Sequence, residues 1–387
     1  MPSCKCIYEP REDSTMLEIY VRQHAFGLVL DMGTGSGIHA IAAALSFKVE
    51  KVIAVDVQKE VIKYCRKNIP NPKISFIQSD LFSKISGKFD TIIFNPPYLP
   101  QETDALDLLT EGGKRGYETI ERFLNAVNGY LKRDGKILLV FSSFTKKEKV
   151  EELCRKNLLE FTELERKHIF FEDLYACLLY KNDLNKNLLD LGISKIRYFS
   201  KGRRGLIFTG DYKKRKIAIK TRNPRSNAGD RIKIEADWLI RLNKSGIGPR
   251  ILHSGKDFIV MEFIEGGNII DFFSQSSKNE IIALTSKIVS QLKKLDELKI
   301  DKEEMHRPIK NLIIMDGKPF LIDFERANYS GKPKNLTQFF HFISSGNVAK
   351  IFKSKGIIID KQEIISLSRK YKKMKGKPVI DIKKIIK

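Results

Sequence analysis

The chain has 387 residues, 42% of them hydrophobic, which is enough for two domains with real cores. Its five cysteines are scattered and odd in number, and no apolar run reaches membrane-spanning length. A disulfide-built secreted scaffold and a bilayer-spanning protein are thereby excluded, and without a signal peptide the expectation is a reducing cytoplasm. The formal net charge of +23 is concentrated in the second half of the chain. Residues 1–182 hold 26 Lys and Arg against 25 Asp and Glu, a balance of +1, so the remainder carries +22. Such a half attracts polyanions such as RNA, ribosomes or acidic proteins, or simply keeps its own surface solvated.

In chain order, Cys4 and Cys6 look like half a metal site, but no second pair or nearby histidine completes it. A helix is expected over 14–26 and a strand over 28–32. That strand runs into Asp31-Met32-Gly33-Thr34-Gly35-Ser36-Gly37 and then an apolar helix, Ile38 to Leu45. A strand, a glycine turn and a helix bring backbone close to a ligand. The G-x-G-x-G spacing, with an acid two residues before the first glycine, suits the cationic, phosphate-free S-adenosylmethionine better than a pyrophosphate. A strand over 51–56 ends in Asp56, placed for the two hydroxyls of a ribose. A strand over 74–78 leads to Asp80, placed for an adenine edge. A fourth strand, 89–94, ends in Asn95-Pro96-Pro97-Tyr98. The Asn oxygen and the Pro96 carbonyl can accept both hydrogens of a planar –NH2 group, and prolines donate no competing N–H. Tyr98 offers that group a flat face. Helices over 119–131 and 146–156 flank a strand at 136–141, and 161–169 with 174–180 reads as a closing antiparallel pair. The polar stretch from Lys181 to Asn187 marks a boundary, giving domains 1–182 and 183–387.

These motifs together resemble the class I methyltransferases of the HemK type, which methylate the side-chain nitrogen of glutamine in translation release factors. Tyr8-Glu9-Pro10-Arg11-Glu12-Asp13-Ser14 is similar to the opening segment of the short branch, which lacks a helical N-terminal domain. Asp80-Leu81-Phe82 and Glu111-Gly112-Gly113-Lys114-Arg115-Gly116 match further family segments. Over roughly residues 7–181 the resemblance implies a Rossmann-like α/β fold with a seven-stranded sheet. It also implies S-adenosyl-L-methionine as cofactor, held by Tyr8, Asp31, Gly33, Gly35, Asp56, Asp80 and Asn95. Asn95, Pro96 and Tyr98 would carry the chemistry. The implied activity is protein-glutamine N5-methylation of a release factor, and short-branch relatives work with a small zinc-binding activator subunit. Adenine-N6 nucleic-acid methyltransferases share the Asn-Pro-Pro-Tyr, but no aromatic target-recognition insertion follows it here.

The second half has a different pattern. Ile196 to Phe208 suggests two strands around a glycine turn, Lys216 to Lys220 a third, and Ile234 to Leu239 a helix holding Glu235. Phe258 to Gly266 and Phe320 to Glu325 follow. Over roughly 194–345 this order resembles the compact atypical kinases of the RIO family and of the KEOPS complex, an α+β protein-kinase-like fold. The resemblance implies ATP and Mg²⁺. Lys220 would hold phosphates while paired with Glu235, Met261 to Gly266 with Glu262 would receive the adenine, and Asn311 and Asp323 would hold the metal. The catalytic loop departs from the pattern. Five residues before Asn311 stands His306 instead of Asp, and Glu304 is the nearest carboxylate. The residues therefore suit ATP binding better than protein phosphorylation, and a docking module that keeps only the kinase fold is the rival.

Overall fold

A computed structural model describes residues 8–101, 110–202, 205–222 and 231–373, so Cys4, Cys6 and most of the lysine-rich tail lie outside the described residues. By its internal contacts the chain forms two compact units, Met1–Tyr198 and Phe199–Lys387.

The first unit alternates helices and strands: α1 (Glu12–His24), β1 (Gly27–Met32), α2 (Ile38–Ala44), β2 (Val49–Asp56), α3 (Lys59–Asn68), β3 (Ile74–Gln78) and β4 (Phe89–Phe94). It continues with α4 (Glu118–Val127), β5 (Leu131–Ser142), α5 (Lys147–Lys156), β6 (Leu159–Ile169), β7 (Glu172–Lys181) and α6 (Asp183–Asp190). One seven-stranded sheet runs β3-β2-β1-β4-β5-β7-β6, parallel except where β7 pairs antiparallel with β5 and β6. The expected sheet is present. The helix read as 119–131 ends at Val127, because Leu131 already opens β5.

The central strands β1, β4 and β5 are apolar on both faces, and each face is covered. Val29, Ile93 and Leu138 join the core under α1, α2 and α3, while their neighbours Leu30, Ile92 and Ile137 join the core under α4 and α5. This is the two-residue alternation of a strand buried on both sides. In α4, Ile120, Phe123, Leu124 and Val127 repeat at helical spacing and are all fully buried. Burying each such side chain contributes about 1.5–3 kcal/mol.

The strand order determines where a site can form. The chain leaves the sheet centre in opposite directions from β1 and β4, which opens a crevice at their carboxyl ends. Their register pairs Met32 with Phe94, so Gly33 and Asn95 emerge side by side.

The polar stretch expected as a boundary forms the end of β7 and α6, and α6 is tied to the first unit. Asn182 caps it, Asn185 donates to Leu158 O at 3.3 Å, and Asp190 pairs with Arg133 at 2.8 Å. Lys181 is 1% exposed, with acceptors at Leu131 O and on Asn128. Burial pulls its amine down to about 7. Above pH 7 the unfolded chain holds a proton that the folded chain has released, so this group makes stability rise with pH. We expect about 1 kcal/mol between pH 7 and 8, absent in Lys181→Met, as read from hydrogen exchange of β5 and β7 in the full chain.

The second unit is built on a five-stranded sheet, order β11-β12-β10-β9-β8. Its strands are β8 (Ser194–Lys201), β9 (Gly205–Tyr212), β10 (Arg215–Arg222), β11 (Ile251–Ser254) and β12 (Phe258–Glu262), with α7 (Arg231–Asn243) between β10 and β11. A helical core follows, centred on α8 (Ile269–Gln275), α9 (Lys278–Glu297) and α10 (Asn335–Ile343), with Phe273, Leu284, Leu292 and Phe340 buried together. A hairpin of β14 (Leu312–Met315) and β15 (Lys318–Leu321), preceded by the short β13 (Ile300–Asp301), carries Asn311 just before its first strand and Asp323 just after its second, both at its open end. Among the described residues no helix is long and apolar enough to cross a membrane.

Candidate active site

The crevice at the ends of β1 and β4 holds a cavity of about 480 Å³, lined among others by Tyr8, Asp13, Gly33, Gly35, Asp56, Asp80, Asn95, Pro96 and Tyr98. Gly33 and Gly35 take φ of 67° and 51°, conformations that let the loop backbone approach whatever lies in the cavity. Asp56 receives the Gly35 N–H at 3.1 Å and the Gln58 N–H at 3.0 Å, which tie the glycine loop to the end of β2. Burial raises its carboxyl above the usual range. Asp80 sits at the rim in an ion pair with Arg122 at 2.7 Å. Asp31 is fully buried beneath the loop. Its Oδ2 accepts from the Thr34 hydroxyl at 2.6 Å, and Thr34, not Asp31, lines the cavity.

The acceptor end is organised by Asp13, which the sequence reading did not single out. Its carboxylate accepts from the Tyr8 hydroxyl at 3.0 Å, from Asn95 Nδ2 at 2.9 Å and from the Tyr98 hydroxyl at 3.4 Å. A carboxylate can only accept, so it fixes which end of the Asn95 amide is nitrogen. The other end, Oδ1, is buried and has no hydrogen-bond partner among the described residues. A buried acceptor without a donor costs about 1–3 kcal/mol, which a ligand N–H can recover. Burial, and then the Asp13 charge, raise the Tyr8 and Tyr98 hydroxyls far above the ordinary tyrosine range, so both remain donors. The signal in the sequence was the Tyr8–Ser14 segment, whose acid is the partner of Asn95.

The glycines at 112 and 116 support this arrangement from behind. A Cβ on Gly112 would lie 2.5 Å from Pro97 O, and one on Gly116 would collide with Tyr98 O. Only glycine lets this segment back the Asn-Pro-Pro-Tyr turn so closely.

The residues that form this unit are similar to those of known proteins. The model of the family "Methyltransferase small domain" matches residues 12–171. A relative from Methanocaldococcus jannaschii, named "Putative protein N5-glutamine methyltransferase MJ0928", is 38% identical over 155 residues, which cover 38% of this chain and 78% of that protein. The chain belongs to the protein N5-glutamine methyltransferase family. The release factor glutamine methyltransferase of Streptococcus pneumoniae is 34% identical over 144 residues, 34% of this chain and 51% of that one. The chain thus spans about half the length of that bacterial enzyme. Among solved structures, the E. cuniculi Mtq2–Trm112 complex, responsible for methylation of the eRF1 translation termination factor, matches with 26% identity and a TM-score of 0.38, covering 46% of this chain and 99% of that one. Family membership implies S-adenosylmethionine as methyl donor.

The second unit carries a separate ionic cluster. Lys220 on β10 lies 2.6 Å from Glu235 on α7, 3.1 Å from Asp323 and 3.7 Å from Glu325. Burial opposes its charge, but the Glu235 and Asp323 carboxylates outweigh that and hold the ammonium above the usual lysine range. Oxygen atoms of Glu235, Asp323 and Glu325 all lie within 4.8 Å of one another. Lys302, which the sequence reading passed over, is buried with its ammonium on Asp323 O at 2.9 Å, and burial lowers it to about 8. Asp323 adopts φ of 62°, which a residue other than glycine rarely takes. Asn311 instead donates to Glu304 at 3.5 Å, and Glu262 accepts the Arg250 N–H at 2.8 Å.

Proposed function

We propose that the first unit transfers a methyl group from S-adenosylmethionine to the side-chain amide nitrogen of a glutamine in a translation release factor. The buried, unpartnered Asn95 Oδ1 carries this reading. It accepts one amide hydrogen of the substrate and the Pro96 carbonyl accepts the other. Both hydrogens held in plane leave the nitrogen lone pair directed out of plane. Asp13 keeps Asn95 from rotating, and Tyr98 stacks against the amide. The cofactor supplies a sulfonium methyl that is already activated, so positioning provides most of the acceleration. Loss of the sulfonium charge and release of the amide proton to water complete the exchange. The loop at Gly33 and Gly35 with Asp56 and Asp80 would hold that cofactor, and the open glycine faces fit it.

Charge favours a protein substrate over nucleic acid. Among the described residues the cavity is lined by Glu12, Asp13, Asp56, Asp80, Glu111 and Glu172, against Arg11 and Arg122. Carboxylates suit a cationic cofactor and repel a phosphate backbone. The direct test is mass spectrometry of release factor incubated with the chain and labelled cofactor, with and without a small zinc-binding activator. Methylated adenine in nucleic acid, with none in protein, would reverse the assignment. Asp56→Ala is expected to weaken cofactor binding by about 1–3 kcal/mol. Unchanged affinity by calorimetry would remove Asp56 from the site.

For the second unit we propose a kinase-like fold that binds Mg·ATP, on the strength of the Lys220–Glu235 pair at 2.6 Å. Lys220 would meet the phosphates, Asp323 and Asn311 the metal, and the segment at Glu262 the base. The metal would neutralise phosphate charge when bound.

A further inference from the structure

The hairpin between β6 and β7 carries features that folding does not require. Its turn is Phe170-Phe171, flanked by the pair Ile169 and Glu172. Phe170 is 88% exposed and Phe171 93% exposed, so neither contributes to the core. Phe170 also takes φ of 42°, a position where tight hairpins ordinarily place glycine, asparagine or aspartate. Ile169, Phe170 and Glu172 nevertheless line the same cavity as Asn95 and Tyr98. Glu172 Oε2 is buried without a hydrogen-bond partner among the described residues. The basic side chains of the same hairpin, Arg166 and His168, both go to Asp173, at 2.6 and 3.0 Å. One cavity therefore holds two buried acceptors awaiting donors, Asn95 Oδ1 and Glu172 Oε2.

We propose that this hairpin tip is the docking subsite for the polypeptide that bears the methyl-accepting amide. Glu172 accepts a main-chain N–H next to the acceptor residue, and Phe170 and Phe171 cover the adjoining peptide planes. The assignment rests on the glutamine reading above. A polypeptide brings what the subsite lacks, an uncharged donor at fixed distance from a side-chain amide, and flat groups for aromatic faces. A nucleic acid also brings flat bases and N–H donors, but its phosphates meet the acidic lining, which disfavours it.

The test is steady-state methylation by the full chain, using release factor and N-acetylglutamine amide as acceptors. Phe170→Ala with Phe171→Ala, and Glu172→Ala separately, should raise KM for release factor by about tenfold with kcat nearly unchanged. The small acceptor, which has no chain to dock on the phenylalanines, should be unaffected by the phenylalanine changes. Glu172→Gln retains an acceptor oxygen and should restore much of the loss. Cofactor affinity by calorimetry should stay at the wild-type value and reports folding. A kcat that falls equally in Glu172→Ala and Glu172→Gln, with KM fixed, would make Glu172 a proton acceptor and overturn its docking role. Wild-type methylation of release factor with KM unmoved in every variant would remove the subsite alone. No glutamine methylation by the wild-type chain would remove the substrate reading and the subsite with it.

Discussion

Asn95→Ala is expected to lower methyl transfer by at least about 10²-fold while cofactor affinity stays within about twofold, because the side chain orients the acceptor and does not hold the sulfonium. The geometry makes a sharper expectation for Asn95→Asp. That substitution keeps an oxygen in the cavity but replaces the amide nitrogen, 2.9 Å from Asp13, with a second acceptor. Two carboxylates then face each other, and one must turn away or take up a proton. Activity should fall nearly as far as in the alanine variant. Asp13→Asn leaves a group that can donate as well as accept, so the orientation of Asn95 is no longer dictated. A loss of about tenfold in kcat, with KM little changed, is the expected mark of a positioning residue. Turnover near wild type in Asn95→Ala would make Asn95 a turn residue only.

The site was legible where residues follow one another along the chain. The glycine turn, Asp56, Asp80 and Asn95 each lie just past a strand end, and parallel strands bring such ends to one edge of the sheet. All but Asp31 of the residues assigned to this cavity line it. Asp31 lies instead near the end of the buried strand β1, where a short acid bonds the loop from below through Thr34. Asp13 and Glu172 were hidden for another reason. Asp13 bonds Asn95 across 82 residues of sequence, and Glu172 joins them in one cavity only through the fold. Hydrogen-bond partners at that separation leave no periodic signal. The second unit shows the same limit, since the Lys220–Glu235 pair spans 15 residues and was anticipated, whereas Lys302 joins Asp323 across 21 and was not.

In the second unit, the full chain should bind labelled ATP in a Mg²⁺-dependent way, and Lys220→Ala should weaken that binding by at least tenfold, about 1.4 kcal/mol. Removing the ammonium leaves Glu235, Asp323 and Glu325 facing one another without a counter-charge, so loss of binding in that variant has two possible sources. Asp323→Asn separates them. It relieves the crowding of carboxylates and should abolish only the Mg²⁺-dependent part of binding. Phosphorylation of added proteins should be slow or absent. A positioned general base contributes about 10²–10⁴-fold, and the carboxylate nearest the expected place, Glu304, is engaged by Arg326 and by Asn311. Brisk autophosphorylation of the full chain would mean that Glu304 or His306 takes the hydroxyl proton despite those contacts. Absence of any nucleotide binding would leave the basic surface as the working part of this unit, and its function would then be docking.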